Sequence, residues 1–276
     1  MTSTRRLDLL RTNAVLLVVC VVWILPFIWA VGTSLRPSNL PVGTGWLWLP
    51  GSPTLANFGD AWSAAPFVIY YANTIIICAG ILIVQLFTIT LGGYAFARKK
   101  FPGRDVLFTL FLIQLLVPLP VLAEPNFLTM RDLHLIDNKL AIMLPYMASG
   151  FGVFLMRQAF RGVPVELEEA AVLDGASWWQ VLWFVFIPLT RPALVAFSIV
   201  SIVFHWNDFL WPLIVTNTPA ARPLTVGLAS FATAGENGAQ FPLIMAGSLL
   251  VMAPVLIGFL LFQRQFVASF VQSGFK

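Results

Sequence analysis

Residues 70–97 read YYANTIIICAGILIVQLFTITLGGYAFA, an apolar run with no acidic or basic side chain in it. A bilayer core is about 30 Å thick and takes about 20 apolar residues to cross as a helix, so this run is long enough to span one. It is more than twice as long as a barrel strand requires. With no water in the hydrocarbon to satisfy peptide groups, it must close its own hydrogen bonds as an α-helix. Five further runs, at 14–32, 106–123, 140–158, 193–215 and 241–262, extend the pattern to six predicted crossings. The whole composition agrees, since 276 residues with 59% hydrophobic and 10% charged side chains fall well below the roughly 25% charge of soluble domains. An ordinary soluble enzyme is excluded. The expected fold is all-α, a polytopic integral membrane protein whose residues 1–276 form one transmembrane domain.

Orientation follows from the basic residues. Arg5, Arg6, Arg11, the four of the Arg98–Arg104 cluster, Arg157, Arg161, Arg191, Arg264 and Lys276 fall on one side of the predicted crossings, twelve in all. Arg36, Arg131, Lys139 and Arg222 fall on the other. That bias predicts both termini in the cytoplasm. The net charge of +4 is spread over short clusters beside apolar runs, which argues for membrane orientation and against nucleic acid. The amino-terminal run imitates a signal peptide, with Ala30 to Gly32 as a cleavage-like site, but its length and the crossings that follow predict an uncleaved anchor. Cys20 and Cys78 fall within crossings and read as small apolar fillers. His134 and His205 lack metal-ligand spacing, and no metal site is expected. His134 reads as an outer-loop surface residue and His205 as a companion of Trp206.

The segment between Arg157 and Arg191 is too long for a simple connection and has a helical sequence. Pro164 suits a first helical position, and Glu166, Glu168 and Glu169 place negative charge at the positive end of the helix dipole. Leu167 and Ala170 to Leu173 continue with strong helix formers, and Gly175 breaks the helix, predicted over about 164–176. The Trp-rich stretch from Ser177 to Phe186 is expected along the inner interface until Pro188 and Pro192 redirect the chain.

Glu169-Ala170-Ala171, then Gly175, then Val185, Ile187 and Pro188 resemble the EAA motif of ABC-transporter permease subunits. Val185 and Ile187 replace the usual Ile and Leu. Asn73, Tyr94 to Arg98 with Phe101 to Arg104, Leu144-Pro145-Tyr146 and Trp206 to Phe209 extend the resemblance. So do Leu224 to Phe231, Met245 to Gly247 and Gln263 to Val267. The closest likeness is to the carbohydrate-importer permeases of the maltose-transporter MalG type. Gly92-Gly93 and Ser269 depart from the family pattern, which has small Ala residues and Gly there.

The resemblance implies a permease half of an importer in the plasma membrane of a prokaryote, without catalytic residues of its own. The expected partners are a second permease subunit in a heterodimer, a dimer of ATPase subunits that binds ATP and Mg, and an extracytoplasmic solute-binding protein. Glu169, Ala170, Ala171, Asp174 and Gly175 are then expected on a coupling helix that docks on the ATPase. Ala170 and Ala171 offer a low surface, Gly175 a close approach and Glu169 a charge-assisted contact. The chain has no Gly-x-x-x-x-Gly-Lys phosphate loop, so ATP is expected on a separate polypeptide. The Arg98–Arg104 cluster reads as an anchor against lipid headgroups, with an ATPase contact as the alternative. The tail after Arg264 is expected to leave the membrane, and Gly274 and Lys276 to reach the ATPase.

Trp206, Asn207 and Asp208 lie in the fifth apolar run, where polar groups mark a substrate path or a helix contact. They fit binding and stacking on a sugar equally with holding helices together or capping a bend before Pro212. Gln85 and Gln114 read as partners between helices. Two other functions compete with the importer. One is a proton-coupled transporter using Asp208 or Glu124, the other a membrane-embedded transferase with acidic catalytic groups. Neither has a use for the motif helix. The solute itself is not written in the sequence.

Overall fold

The structure, a computed structural model, describes residues 3–37, 52–234 and 241–274. Among them there are helices and turns and no strand. The helices are α1 (Ser3–Ser34), α2 (Ala56–Ala64), α3 (Phe67–Arg98), α4 (Arg104–Ile113), α5 (Ala123–Asp132), α6 (Lys139–Met143) and α7 (Gly150–Arg161). They continue as α8 (Val165–Leu173), α9 (Trp178–Val181), α10 (Ile187–Leu189), α11 (Arg191–Trp206), α12 (Leu210–Val215), α13 (Leu224–Ala234) and α14 (Phe241–Gly274). A π-helical stretch, Leu182–Phe186, joins α9 to α10.

Among the described residues, three stretches are long and apolar enough to cross a membrane: Arg11–Ser34, Phe67–Arg98 and Phe241–Leu261. They match the runs expected at 14–32, 70–97 and 241–262, although the helices extend beyond them. The other three expected runs are not straight helices. The run at 106–123 is split into Arg104–Leu116 and Pro120–Asp132, which meet at 97°. Val117 is extended, with ψ 117°, because the ring of Pro118 clashes with a helical residue before it. The run at 140–158 is bent by 43° between Lys139–Tyr146 and Gly150–Arg161. There Ser149 leaves the helical region and caps α7, its hydroxyl accepting the Gly152 N–H at 3.1 Å.

The run at 193–215 is the most altered. Its helix ends at Trp206 and is continued upstream, across a 76° bend at Thr190, by Trp178–Leu189. Pro188 lies inside the continuous helical stretch Trp178–Leu189, after its π-helical part, and the chain turns at Thr190, just before Pro192 in the first turn of α11. Asn207, Asp208 and Phe209 are not helical, and α12 begins afresh after them. α14 continues to Gly274, past the point where the sequence predicts that the tail leaves the membrane.

The chain divides into two compact units, one of Met1–Phe67 with Gly227–Pro254, the other of Val68–Val226 with Val255–Lys276. In the first, Ala61, Phe231 and Ala246 form a small core, and the Phe67 ring meets Trp62 and Phe231 with centroids 6.0 Å apart in each case. Asn57, buried, donates to the carbonyls of Ser34 and Arg36 at 2.7 and 2.6 Å and so closes the end of α1, where backbone acceptors lack helical partners.

The second unit has two cores. One gathers Ile89, Tyr94, Phe108, Met156, Phe160, Phe186 and Phe197. The other gathers Ile77, Ile81, Ile142, Trp211 and Val215. The backbones of α3 and α7 approach closely: a Cβ at Gly93 would lie 2.6 Å from Met156 Cβ and 3.1 Å from Arg157 N. That contact leaves no room for a side chain at 93. Cys78 is buried in this unit, whereas Cys20 is exposed.

Candidate functional site

The motif helix is shorter than the expected 164–176: Pro164, with ψ 137°, stays outside it, α8 runs from Val165 to Leu173, and Glu166 and Glu168 fall in its first turn. Gly175, just past its end, has a φ of +84°, in the left-handed region that glycine adopts without strain. The N–H groups of Asp174, Gly175 and Ala176 close the last turn on the carbonyls of Ala170, Val172 and Ala171, each at 3.0 Å. Two residues later a capping box starts α9: Gln180 Oε1 accepts the Ser177 N–H at 2.7 Å, and the Ser177 hydroxyl accepts the Gln180 N–H. A sharp, rigid corner therefore joins α8 to the Trp-rich segment, whose Trp178, Trp179 and Trp183 are exposed.

The two faces of α8 differ. Ala171 and Ala176 pack against the larger core of the second unit. Glu169, Ala170, Asp174 and Gly175 are exposed, and Leu173 is 88% exposed. Ala170 and Ala171 thus do not share one low surface: one faces outward, the other is the footing. A Cβ at Gly175 would meet nothing within 4 Å.

A second feature lies within the same unit. A cavity of about 320 Å³ is lined by Gln85, Gln114, Tyr146, Ser149, Ser201 and His205 together with Phe197, Phe204 and other apolar groups. Gln85 organises it. Its Nε2 donates to the Tyr146 carbonyl at 2.7 Å, its Oε1 accepts the Ser201 hydroxyl at 2.6 Å, and His205 Nε2 lies 3.4 Å away. His205 is buried against the Tyr146 ring, with centroids 4.7 Å apart, so it belongs to this cluster. No acidic side chain, Lys or Arg lines the cavity. The sequence offers the individual polar residues inside apolar runs, but not their meeting.

The structure places Trp206, Asn207 and Asp208 at the break between α11 and α12. Trp206 ends α11 and its ring lies 6.5 Å from that of Tyr71. The Asn207 amide donates to the Val203 carbonyl at 2.7 Å. Asp208 follows in the non-helical break, and α12 begins two residues later. The Thr225 hydroxyl donates to the Asp208 carbonyl at 2.6 Å. Among the described residues no group of His, Cys, Asp or Glu has the arrangement of a metal site.

Residues 88–270 match the family described as binding-protein-dependent transport system inner membrane component. The chain is 32% identical to the arabinooligosaccharides transport system permease protein AraQ of Halalkalibacterium halodurans, over 92% of this chain and 91% of that protein. It is 31% identical to the lactose transport system permease protein LacG of Rhizobium radiobacter, over 99% and 98%. It is likewise 31% identical to the sn-glycerol-3-phosphate transport system permease protein UgpE of Pectobacterium atrosepticum, over 82% of each. The structure resembles a chain from the crystal structure of a bacterial ABC transporter involved in the import of the acidic polysaccharide alginate. The TM-score is 0.84 and the identity 26%, over 96% of this chain and 99% of that one.

Proposed function

The chain belongs to the family of inner membrane components of binding-protein-dependent transport systems, and from that premise we propose that it carries an uncharged sugar across the membrane as one half of an importer. It is a transmembrane permease subunit, a transport component and not an enzyme. In this reading the three long helices and three bent pairs are six crossings of one transmembrane domain, both termini are cytoplasmic, and α8 is the coupling helix. A second permease completes the pathway, an extracytoplasmic binding protein delivers the solute, and a pair of ATPase subunits holds ATP and Mg.

The observation that carries the reading is α8 itself. Its outer face presents Glu169, Ala170, Asp174 and Gly175 with a bare Leu173, while Ala171 and the Gly175–Ser177 corner fix it to the bundle. A helix held in this way passes on a displacement that a loose loop would absorb. Closure of the ATPase pair would then tilt the crossings attached to α7 and α9 and exchange inward for outward access. The solute path is assigned to the cavity around Gln85, with Trp206, Asn207 and Asp208 at the end of α11. Hydroxyl and amide groups set among aromatic rings suit a neutral polyol, and the absence of cations in the cavity lining disfavours a phosphorylated or acidic one.

The test uses the chain assembled with its partner subunits in liposomes. Glu169→Lys and Gly175→Arg are expected to insert normally and to lower uptake per ATP hydrolysed by about fivefold or more. Normal coupled uptake in both variants overturns the docking role.

A further inference from the structure

Arg98 is the last residue of α3 and, by sequence, one of four basic residues read as a lipid anchor. The structure takes it out of that group. Its side chain is 12% exposed, whereas Lys99 and Lys100 are exposed. Nη2 donates to the carbonyl of Phe160 at 2.7 Å and to that of Val163, at the end of α7, where helix acceptors lack partners and a cation is favoured. The guanidinium lies 4.9 Å from the centroid of the Phe186 ring. Its Nε is 3.7 Å from Oε2 of Glu168, in the first turn of α8. One turn back along α3, the Tyr94 hydroxyl donates to Glu168 Oε1 at 3.3 Å.

Two adjacent acids of the motif helix therefore face different ways. Glu169 is exposed, and Glu168 is held from α3 by a cation and a hydroxyl. Both holding groups are themselves fixed: Tyr94 meets the Phe160 and Phe186 rings edge-on, and Arg157 of α7 reciprocates by donating from Nε to the Phe96 carbonyl at 3.3 Å. We propose that Glu168, with Arg98 and Tyr94, is a positioning strap that fixes the motif helix to α3, so that α3 and the end of α7 move with α8. Without it, the motif helix is held by Ala171 and the Gly175–Ser177 corner alone, with no polar tie to the end of α3. A charge pair this far withdrawn from water is screened less than a surface pair. The strap rests on the coupling role proposed above, and it concerns transmission through the bundle, not docking.

The test needs no identified solute. In the complete importer, Cys20 and Cys78 are replaced by Ala and Val200, which lines the cavity, by Cys. The rate at which a membrane-impermeant maleimide modifies this Cys is compared with and without ATP, alongside ATP hydrolysis and co-purification of the ATPase. The parent is expected to show an ATP-dependent change in rate. Glu168→Ala is expected to reduce that change about fivefold or more while hydrolysis and co-purification persist. Glu168→Gln, which keeps the acceptor for Tyr94, is expected to fall between them, and Tyr94→Phe in the Gln background to match Glu168→Ala. An unchanged ATP response in Glu168→Ala overturns the strap, and so does loss of ATPase co-purification, which would make Glu168 a docking residue. A parent complex without any ATP response removes the coupling reading itself, and the strap with it.

Discussion

A single carboxylate ties down the loop that follows α12. Asp137 adopts a φ of 63°, a region that Asp tolerates better than most residues. Its Oδ1 accepts the N–H groups of Asn217 and Thr218 at 2.8 and 2.9 Å, and its Oδ2 the Thr218 hydroxyl at 2.7 Å. Lys139 and Asn73 hold the same loop through the carbonyls of Ala220, Pro219 and Arg222. Partial burial works upward on the Asp137 carboxyl, but the Thr218 and Asn217 donors and the Arg222 charge outweigh it and hold it below the usual carboxylate range. The sign follows from that. The contact contributes fully above the unfolded value of about 3.9 and is lost as pH falls through the lowered folded value. Hydrogen-exchange protection factors at Asn217 and Thr218 should stay high at neutral pH and fall in acid. Asp137→Asn should raise exchange at neutral pH and remove the acid limb; protection that is unaltered in this variant would discount the carboxylate. The residue types here are plain in the sequence, but partners 80 residues apart are not.

At the scale of elements, close approach decides what glycine is for. A methyl at Gly93 meets the Met156 Cβ and the backbone of Arg157, so α3 and α7 must separate. Gly93→Ala should cost about 1–3 kcal/mol. Gly59, within α2, has nothing within 4 Å, and Gly59→Ala should stabilise by about 0.5–1 kcal/mol through helix propensity. Thermal unfolding of the purified complex checks both, and shifts of the same sign would contradict the packing. The same scale shows which elements a linear reading reaches. α3 and α8 were legible because an unbroken apolar run, or a Pro, an acidic first turn and a Gly, set their limits locally. The expected run at 193–215 was not, because Phe209 to Val215 continue its hydropathy past the true end of the helix. What holds the break after Trp206 is the Thr225 hydroxyl donating to the Asp208 carbonyl at 2.6 Å and the Trp211 indole N–H donating to the Ala141 carbonyl at 3.1 Å, contacts made by tertiary packing.

For the whole molecule, the chemistry of the cavity bears on what is carried. The reconstituted importer should accumulate neutral probes such as lactose or an arabino-oligosaccharide and not sn-glycerol 3-phosphate. Accumulation of the phosphate ester in preference to every neutral sugar offered would defeat the assignment of an uncharged solute. By itself the sequence determined that this is a helical membrane protein with a short helix at the motif. Those features follow from the sum of hydropathy along a run and from local rules of helix start and stop. Only the tertiary structure decided where three of the apolar runs bend, which of Ala170 and Ala171 turns inward, and that Gln85, Ser201 and His205 meet. It also decided that Arg98 reaches Glu168 and not the lipid. The Gln85 cluster and the Arg98–Glu168 pair depend on groups about 60 to 120 positions apart, whose meeting is set by packing around a shared core and leaves no periodic mark in the chain.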